Sequence, residues 1–210
     1  MSELKVLDHI RRRAIEDHVY FSNKNKQGRE RYVASLFLET LGLYFGEGDF
    51  LAQDQSNIVD ICLDEFRFQI KELMDEGFRR GNLYRGAREA AERASCLAEL
   101  SLVSECCRDV PHTDTSRNLL LNKMPSVSTK YAIADRAKTD LLVYATRTRA
   151  ALFREEELAP NKFSTFGWRS VSCVNEKQAV VLSATDAAPA IIRQFQGQVV
   201  WKREVHVNDW

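Results

Sequence analysis

Residues 57–72 have the sequence NIVDICLDEFRFQIKE, and this stretch decides the fold. With Asp64-Glu65 as a two-residue loop, the apolar side chains fall on one face of a β-hairpin, because successive side chains in a strand point to opposite faces. A four-residue loop keeps this arrangement, whereas a three-residue loop would place Asp60 opposite Phe68 and mix the two faces. The apolar face comprises Val59, Ile61, Leu63, Phe66, Phe68 and Ile70.

Three polar side chains share the other face of this hairpin. Asp60 lies opposite Gln69, and Lys71 follows two residues later on the same strand. Carboxylate and amide oxygens are ligands of Mg²⁺, which retains waters for chemistry, and a nearby ammonium group can stabilise charge on a phosphate. The three groups predict a divalent-metal site. The alternative is a solvated polar face with a weak ion pair between Asp60 and Lys71, which helices on both sides of the sheet would disfavour.

The hairpin resembles the motif of the PD-(D/E)xK nuclease superfamily, with Val59-Asp60 in place of Pro-Asp and Gln69-Ile70-Lys71 in place of (D/E)-x-K. The whole chain also resembles a bacterial family of uncharacterised proteins that are described as endonucleases. The resemblance implies an α/β fold with a restriction-endonuclease-like core over residues 28–107, in which helices flank a mixed sheet. It further implies hydrolysis of DNA with Mg²⁺ or Mn²⁺, catalysis by Asp60, Gln69 and Lys71, and metal binding by Glu39, Asp60 and Gln69.

The match to that motif is incomplete, because Gln69 replaces its second acid and removes one negative charge from the metal site. Glu65 and Glu72 are the nearby acids, although Glu72 falls on the opposite face of its strand. Two functions therefore stay open. The first is a metal-dependent, endonuclease-like enzyme, and the second is a non-catalytic interaction or nucleic-acid-binding protein on the same fold.

A basic segment follows the hairpin at residues 78–88, FRRGNLYRGAR. Arginine forks suit phosphate oxygens and aromatic rings stack on bases, so this segment predicts a contact with DNA. The candidate binding residues are Arg79, Arg80, Arg85 and Arg88. The alternative is a solvated connection in which these arginines pair with Asp75, Glu76 and Glu89.

The composition limits the remaining function classes. The chain has 30 basic and 30 acidic residues, so any contact with nucleic acid depends on a local patch. The five cysteines and four histidines lack CxxC and HExxH spacing, and the nucleotide-binding and hydrolase glycine motifs are absent. No apolar run approaches the ~18 residues of a membrane span, and the first residues do not form a secretory signal. We therefore expect a cytoplasmic protein without a membrane partner.

The rest of the chain predicts one α/β domain over residues 1–210. Amphipathic helices are expected over about residues 3–19, 29–45 and 87–107, followed by a loop-rich insertion at 108–128. Spacings of three and four residues from about residue 129 predict another long helix, although LLVYATRT at 141–148 would also suit a strand. Residues 165–210 predict a strand–strand–helix–strand extension of the sheet, and its closing strand, QVVWKREVHV, predicts edge pairing into a homodimer.

Overall fold

The computed structural model describes residues 3–20, 22, 25–54, 57–73, 80–100, 116–145, 153–154, 158 and 160–202. The chain, for which the sequence predicts a single domain, forms two compact units. The helical unit comprises Met1–Arg29 and Glu76–Asp109, and the sheet unit comprises Glu30–Asp75 and Val110–Trp210. In the part of the chain that is described, no helix is both long and apolar enough to cross a membrane.

Helices and strands account for most of the described residues. The helices are α1 (Glu3–Tyr20), α2 (Lys26–Thr40), α3 (Arg80–Arg93), α4 (Ser116–Ser128), α5 (Ile133–Arg136), α6 (Pro160–Ser164) and α7 (Ala190–Gln194). The strands are β1 (Leu51–Ala52), β2 (Ile61–Leu63), β3 (Phe66–Leu73), β4 (Asp140–Ala145), β5 (Ser170–Val174), β6 (Gln178–Ala184) and β7 (Val199–Trp201).

In the helical unit, α1 packs against α3. Arg11 on α1 donates from Nε to the carbonyl oxygen of Ala91 (3.0 Å) and from Nη2 to that of Ala94. These bonds satisfy carbonyl groups that the end of a helix leaves without an intrahelical partner. The helix predicted over 87–107 ends early, at Arg93, and Cys96, three residues later, has an extended backbone (φ −145°, ψ 167°). Residues 101–107 lie outside the described part.

The sheet unit contains one seven-stranded mixed sheet in which the strands lie in chain order, β1 to β7. The strands β3, β4 and β5 are parallel, and every other neighbouring pair is antiparallel. The mixed α/β fold predicted from the sequence is therefore confirmed. The predicted C-terminal unit is also present, because β5, β6, α7 and β7 extend the same sheet.

The hairpin β2–β3 has the predicted register. Leu63 pairs with Phe66 and Ile61 with Phe68, so the loop consists of two residues. Asp64, the first of them, has a left-handed φ of 46°, which Asp tolerates better than most residues. The strand begins only at Ile61, so the predicted alternation does not extend to Val59, which lies outside the apolar cluster of the other hairpin residues.

Each face of the sheet carries its own apolar cluster. Phe68 and Ile70 pack with Phe37 of α2 on one face. On the other face, Leu73 packs with Met124 of α4. Helices therefore cover both faces of the central strands, and Lys71, which alternates with Ile70, lies on the α4 side.

Two predictions in the second half of the chain are wrong. The loop-rich insertion expected at 108–128 is helical from Ser116 to Ser128, and Leu120 and Met124 are buried on one side of this helix. Residues 108–115 lie outside the described part. The long helix expected from about residue 129 is instead the short helix α5 and the strand β4, which agrees with the strand alternative for LLVYATRT. A central parallel strand is buried on both faces, and its continuous apolar run also fits helical spacing.

Candidate functional site

Asp60 and Gln69 are in direct contact on the hairpin. Gln69 Nε2 donates a hydrogen bond to Asp60 Oδ2, and the backbone N–H of Ile70 donates to the same oxygen at 2.9 Å. The backbone N–H of Asp60 in turn donates to the carbonyl oxygen of Phe68 (2.8 Å). Asp60 is 9% exposed and Gln69 is 2% exposed, so this carboxylate is a buried acceptor that ties the start of β2 to the middle of β3.

Lys71 lies beside an aromatic pair. Its Nζ is 5.6 Å from the centroid of the Tyr131 ring, within the range of a cation–π contact. The Tyr131 ring meets Trp168 edge-on, at 5.7 Å between centroids. Lys71 is half-buried. The ammonium group is therefore held over a packed aromatic surface on the same sheet face as Gln69.

Glu39 lies apart from this face of the sheet. It is exposed on α2, and α2 packs against the face that carries Phe68 and Ile70. Lys71 and Gln69 alternate with these residues and lie on the opposite face. The structure therefore brings Asp60, Gln69 and Lys71 together and does not bring Glu39 to Lys71. The role of Glu39 as a metal ligand stays a prediction.

The hairpin as arranged does not fit a divalent cation. Asp60 supplies one carboxylate, and Gln69 presents to it an N–H group rather than its carbonyl oxygen, which a hard cation would need. Across the described ranges, no group of three or more His, Cys, Asp or Glu side chains is placed to hold a metal ion. Metal binding by Asp60 and Gln69 stays a prediction.

The predicted nucleic-acid residues belong to the helical unit. Arg79 lies outside the described part, and Arg80 is the first residue of α3. Arg85 is exposed on this helix, and the half-buried Arg88 forms an ion pair with Glu92 (3.5 Å). The exposed guanidinium of Arg85 is available to an external phosphate, whereas that of Arg88 is shared with a carboxylate one helical turn away.

A buried charge network at the start of β4 was not predicted from the sequence. Asp140 is 1% exposed and accepts hydrogen bonds from Arg169 Nε (3.0 Å), Arg169 Nη2 and Ser170 Oγ (2.7 Å). The backbone N–H of Arg67 also donates to it (3.2 Å). Charged residues directly before the buried runs LLVYA and SVSCV were the signal for this network, because a charge at that position needs a partner once the strand is buried.

A cavity of about 420 Å³ lies in the sheet unit beside this network. Its polar lining includes Asn57, Arg67, Asp135, Lys138 and Arg169. Arg67 precedes Gln69 by two residues on β3, so the cavity opens on the sheet face that carries Gln69 and Lys71. Three cations and one carboxylate in this lining favour an anionic ligand.

Comparison with known proteins places the chain in a family. The model of the family described as "Putative endonuclease, protein of unknown function (DUF1780)" matches residues 2–207. A solved structure from Pseudomonas aeruginosa strain PAO1 is also similar, with a TM-score of 0.59 and 23% identity over 96% of each chain. That structure is described as a protein of unknown function of the monooxygenase superfamily, and at this identity the similarity shows a shared fold alone. No curated protein matches the chain.

The family match confirms the resemblance to uncharacterised endonuclease-like proteins, and membership of the PD-(D/E)xK superfamily stays a prediction. Because the matched region spans nearly the whole chain, this protein belongs to the DUF1780 family, whose members are described as putative endonucleases of unknown function.

Proposed function

We propose that this chain is an endonuclease-like protein that hydrolyses phosphodiester bonds in DNA, with its site on the β2–β3 hairpin. The contact between Gln69 and Asp60 supports this proposal, because it joins the two positions that correspond to the acidic pair of the nuclease motif. Lys71 lies on the same face of the sheet as Gln69, two residues further along β3. The description of the family supports the same class of reaction.

In this proposal Lys71 is the catalytic residue. Phosphodiester hydrolysis builds negative charge on the phosphate oxygens, and a cation held in place before the reaction stabilises that charge. The Tyr131 ring restricts the ammonium group of Lys71. Asp60 positions Lys71 through the hydrogen bond from the backbone N–H of Ile70, one residue earlier on β3. We derive no step through Mg²⁺ or Mn²⁺, since the present arrangement does not fit a divalent ion.

Cleavage of single-stranded, duplex and branched DNA, in Mg²⁺, Mn²⁺ or a chelator, tests this function. We expect Lys71→Ala to lose about tenfold or more in rate while the wild type cleaves at least one substrate. Lys177→Ala is the matched control, because Lys177 is exposed in the β5–β6 turn and should retain the wild-type rate. Absence of cleavage by the wild type in every condition would contradict the proposal, and equal rates in all three proteins would exclude Lys71.

The need for a metal is tested separately by thermal unfolding with and without Mg²⁺. A stabilisation of the wild type that Asp60→Asn abolishes would show a metal site on the hairpin. Gln69→Glu restores the second acid of the nuclease motif and places two carboxylates in contact, so we expect it to be less stable without a metal. Mg²⁺ should then stabilise Gln69→Glu more than the wild type.

A non-catalytic, nucleic-acid-binding protein on the same fold is the second candidate. The observation in its favour is that Asp60 Oδ2 already accepts two hydrogen bonds and so holds the hairpin together. In that case labelled DNA should bind without cleavage. Arg85→Ala should weaken binding and lower the salt dependence by about one phosphate contact. Arg12→Ala, at an exposed position on α1, serves as the control.

A further inference from the structure

Arg169 is a buried arginine that lines the cavity, and among the described residues one of its nitrogens has no hydrogen-bond partner. Its Nε and Nη2 both bind Asp140, and Nη2 also donates to the carbonyl oxygen of Glu65 (2.9 Å). Its Nη1 has no hydrogen-bond partner among the residues that the structure describes. The side chain is 10% exposed and lines the cavity. Asp140 therefore fixes the guanidinium group in one orientation and leaves Nη1 for an external acceptor.

Two further cations lie at the same cavity. Arg67 and Lys138 both line it and are both exposed, so their charges are accessible to a ligand from solvent. The oxygen Oδ1 of Asn57 accepts the backbone N–H of Val59 (3.0 Å), which leaves the amide NH₂ group of Asn57 as a donor. The lining is therefore rich in donors, as a phosphate group with its several acceptor oxygens requires.

Two carboxylates oppose these cations. Asp140 offsets the charge of Arg169, and Asp135, which is exposed, also lines the cavity. The three cations thus exceed the two carboxylates by one charge. A volume of about 420 Å³ lies within the range of small-ligand sites, roughly 300–1,000 Å³, and admits a ligand of the size of one nucleotide.

We propose that this cavity binds the phosphate group of a phosphomonoester the size of a mononucleotide. Nη1 of Arg169 donates to one phosphate oxygen, and Arg67 and Lys138 bind the others at the mouth of the cavity. Arginine suits this role because its planar guanidinium matches the geometry of phosphate oxygens. The proposal rests on the cavity and not on the hairpin, and it requires neither a metal nor catalysis.

Calorimetric titration of the full chain in a chelator tests the proposal with three probes: inorganic phosphate, AMP and adenosine. We expect AMP to bind, inorganic phosphate to displace it, and adenosine to bind about tenfold more weakly or not at all. Absence of AMP binding would overturn the proposal. Binding of adenosine as tight as that of AMP would also do so, as would bound AMP that high phosphate fails to displace.

Substitutions at the mouth of the cavity locate the binding site. Arg67→Ala and Lys138→Ala should each weaken AMP binding by about fivefold or more, whereas Lys177→Ala should bind like the wild type. Both mouth residues are exposed, and the backbone N–H that Arg67 gives to Asp140 survives its substitution. Arg169 itself is avoided, because its removal would leave Asp140 buried without its partner. Unchanged affinity in both mouth variants would overturn the assignment.

Alkylation of Cys62 gives a second measurement that needs no substitution. Cys62 is half-buried and lines the cavity, whereas Cys96 is half-buried in the helical unit and serves as the internal control. AMP should slow the alkylation of Cys62 and leave that of Cys96 unchanged, as measured by peptide mass spectrometry. Protection of neither cysteine, or of both equally, would contradict binding in the cavity.

The AMP measurements separate the inference from the proposed nuclease activity. They contain no DNA and no divalent metal, so AMP binding does not depend on cleavage. The substitution Lys71→Ala, which should reduce cleavage, should leave AMP binding unchanged, because Lys71 does not line the cavity.

Discussion

At the scale of single residues, two buried carboxylates hold the ends of strands by accepting hydrogen bonds. Asp140 accepts from Arg169, from Ser170 and from the backbone of Arg67. Asp60 accepts from Gln69 and from the backbone of Ile70. Asp140 has the guanidinium group of Arg169 as a partner, so its substitution leaves a buried cation without its counter-charge.

We expect Asp140→Ala to lower the free energy of unfolding by about 3–5 kcal/mol, because it leaves Arg169 buried and unpaired. Asp135→Ala is the matched control, since Asp135 is exposed nearby and should change stability by about 0.5 kcal/mol or less. Urea unfolding followed by circular dichroism measures both. Equal stabilities of the two variants would mean that the buried ion pair is not required for folding.

The stability of the sheet unit should fall at alkaline pH because of Cys173. Burial raises the pKa of this thiol to about 12, against an ordinary value of 9.0. Between these two pH values the unfolded chain has released the thiol proton while the folded chain still holds it. The contribution of this thiol to the free energy of unfolding is therefore fully present below pH 9 and is lost as the pH rises above it. Between about pH 8.5 and about pH 10.5 we expect a loss of about 2 kcal/mol from this group.

Urea unfolding of Cys173→Ala across this range checks the expectation. The variant should lose about 2 kcal/mol less than the wild type on going to high pH, although its stability at neutral pH is lower because of the removed side-chain volume. Val171→Ala, which removes buried side-chain volume but no titratable group, should keep the wild-type pH dependence. A wild-type pH dependence in Cys173→Ala would assign the alkaline loss to other groups.

The contact between Asp60 and Gln69 could be predicted from the sequence, whereas that between Asp140 and Arg169 could not. The first depends on the register of a hairpin, which the alternation of nearby apolar residues determines. The second depends on the pairing of Asp140 with Ser170 across the parallel strands β4 and β5. No local pattern specifies the pairing of strands joined by a long crossover, so the sequence indicates that Asp140 and Arg169 each need a partner but not that they pair with each other.

At the scale of elements, the position at which α2 ends is determined by a local feature, a glycine with a left-handed backbone. The sequence predicts a helix that continues to residue 45 and is stopped by Gly46 and Gly48, but α2 ends at Thr40. Gly42 has a φ of 85°, and the N–H of Leu43 donates to the carbonyl oxygen of Leu38 (2.9 Å), as in a glycine-terminated helix end. The earlier glycine therefore terminates the helix.

Glycine-to-alanine substitutions just after α2 and within α3 should have opposite effects on stability. Gly42→Ala meets no atom within 4 Å, but its left-handed backbone disfavours a side chain, so we expect a loss of about 1 kcal/mol. Gly86→Ala lies within α3 with equally open space and should gain about 0.5–1 kcal/mol from helix propensity. Amide hydrogen exchange, measured separately for α2 and α3, should be faster in the first variant and slower in the second. Effects of the same sign would contradict this account.

The elements that were predicted wrongly are those whose burial depends on distant parts of the chain. In β4 all residues except Tyr144 are buried, so its apolar run carries no period-two signal. The helix α4 contains Pro125 and several Ser and Asn residues, which locally indicate a loop. Packing of Leu120 and Met124 against the sheet overrides that local preference.

At the scale of the whole molecule, β1 and β7 are the two edges of the sheet in the part of the chain that the structure describes, and each presents a large exposed side chain. Leu51 on β1 is 62% exposed and Trp201 on β7 is 57% exposed. The predicted homodimer would pair two copies of β7, which spans three described residues. Such a short edge strand gives few hydrogen bonds, so any pairing through it depends on the exposed tryptophan.

Sedimentation at several protein concentrations tests whether two copies of the chain pair through β7. If copies pair through β7, the wild type should form a dimer as concentration rises, and Trp201→Lys should stay monomeric because a lysine on an edge opposes pairing. Leu51→Lys, at the other edge, should dimerise like the wild type. A wild type that remains a monomer at the highest concentration would exclude the homodimer.

The strands lie side by side in the order in which they are synthesised, and this order affects how the nascent chain folds. The strands β1 to β3 leave the ribosome first, while their partner β4 follows only after the long connection from Leu73 to Asp140. At 5–20 residues per second this interval is on the order of several seconds. During this interval β3 is not yet paired with β4, so we expect a chaperone that binds nascent chains to bind at the exposed apolar edge of β3.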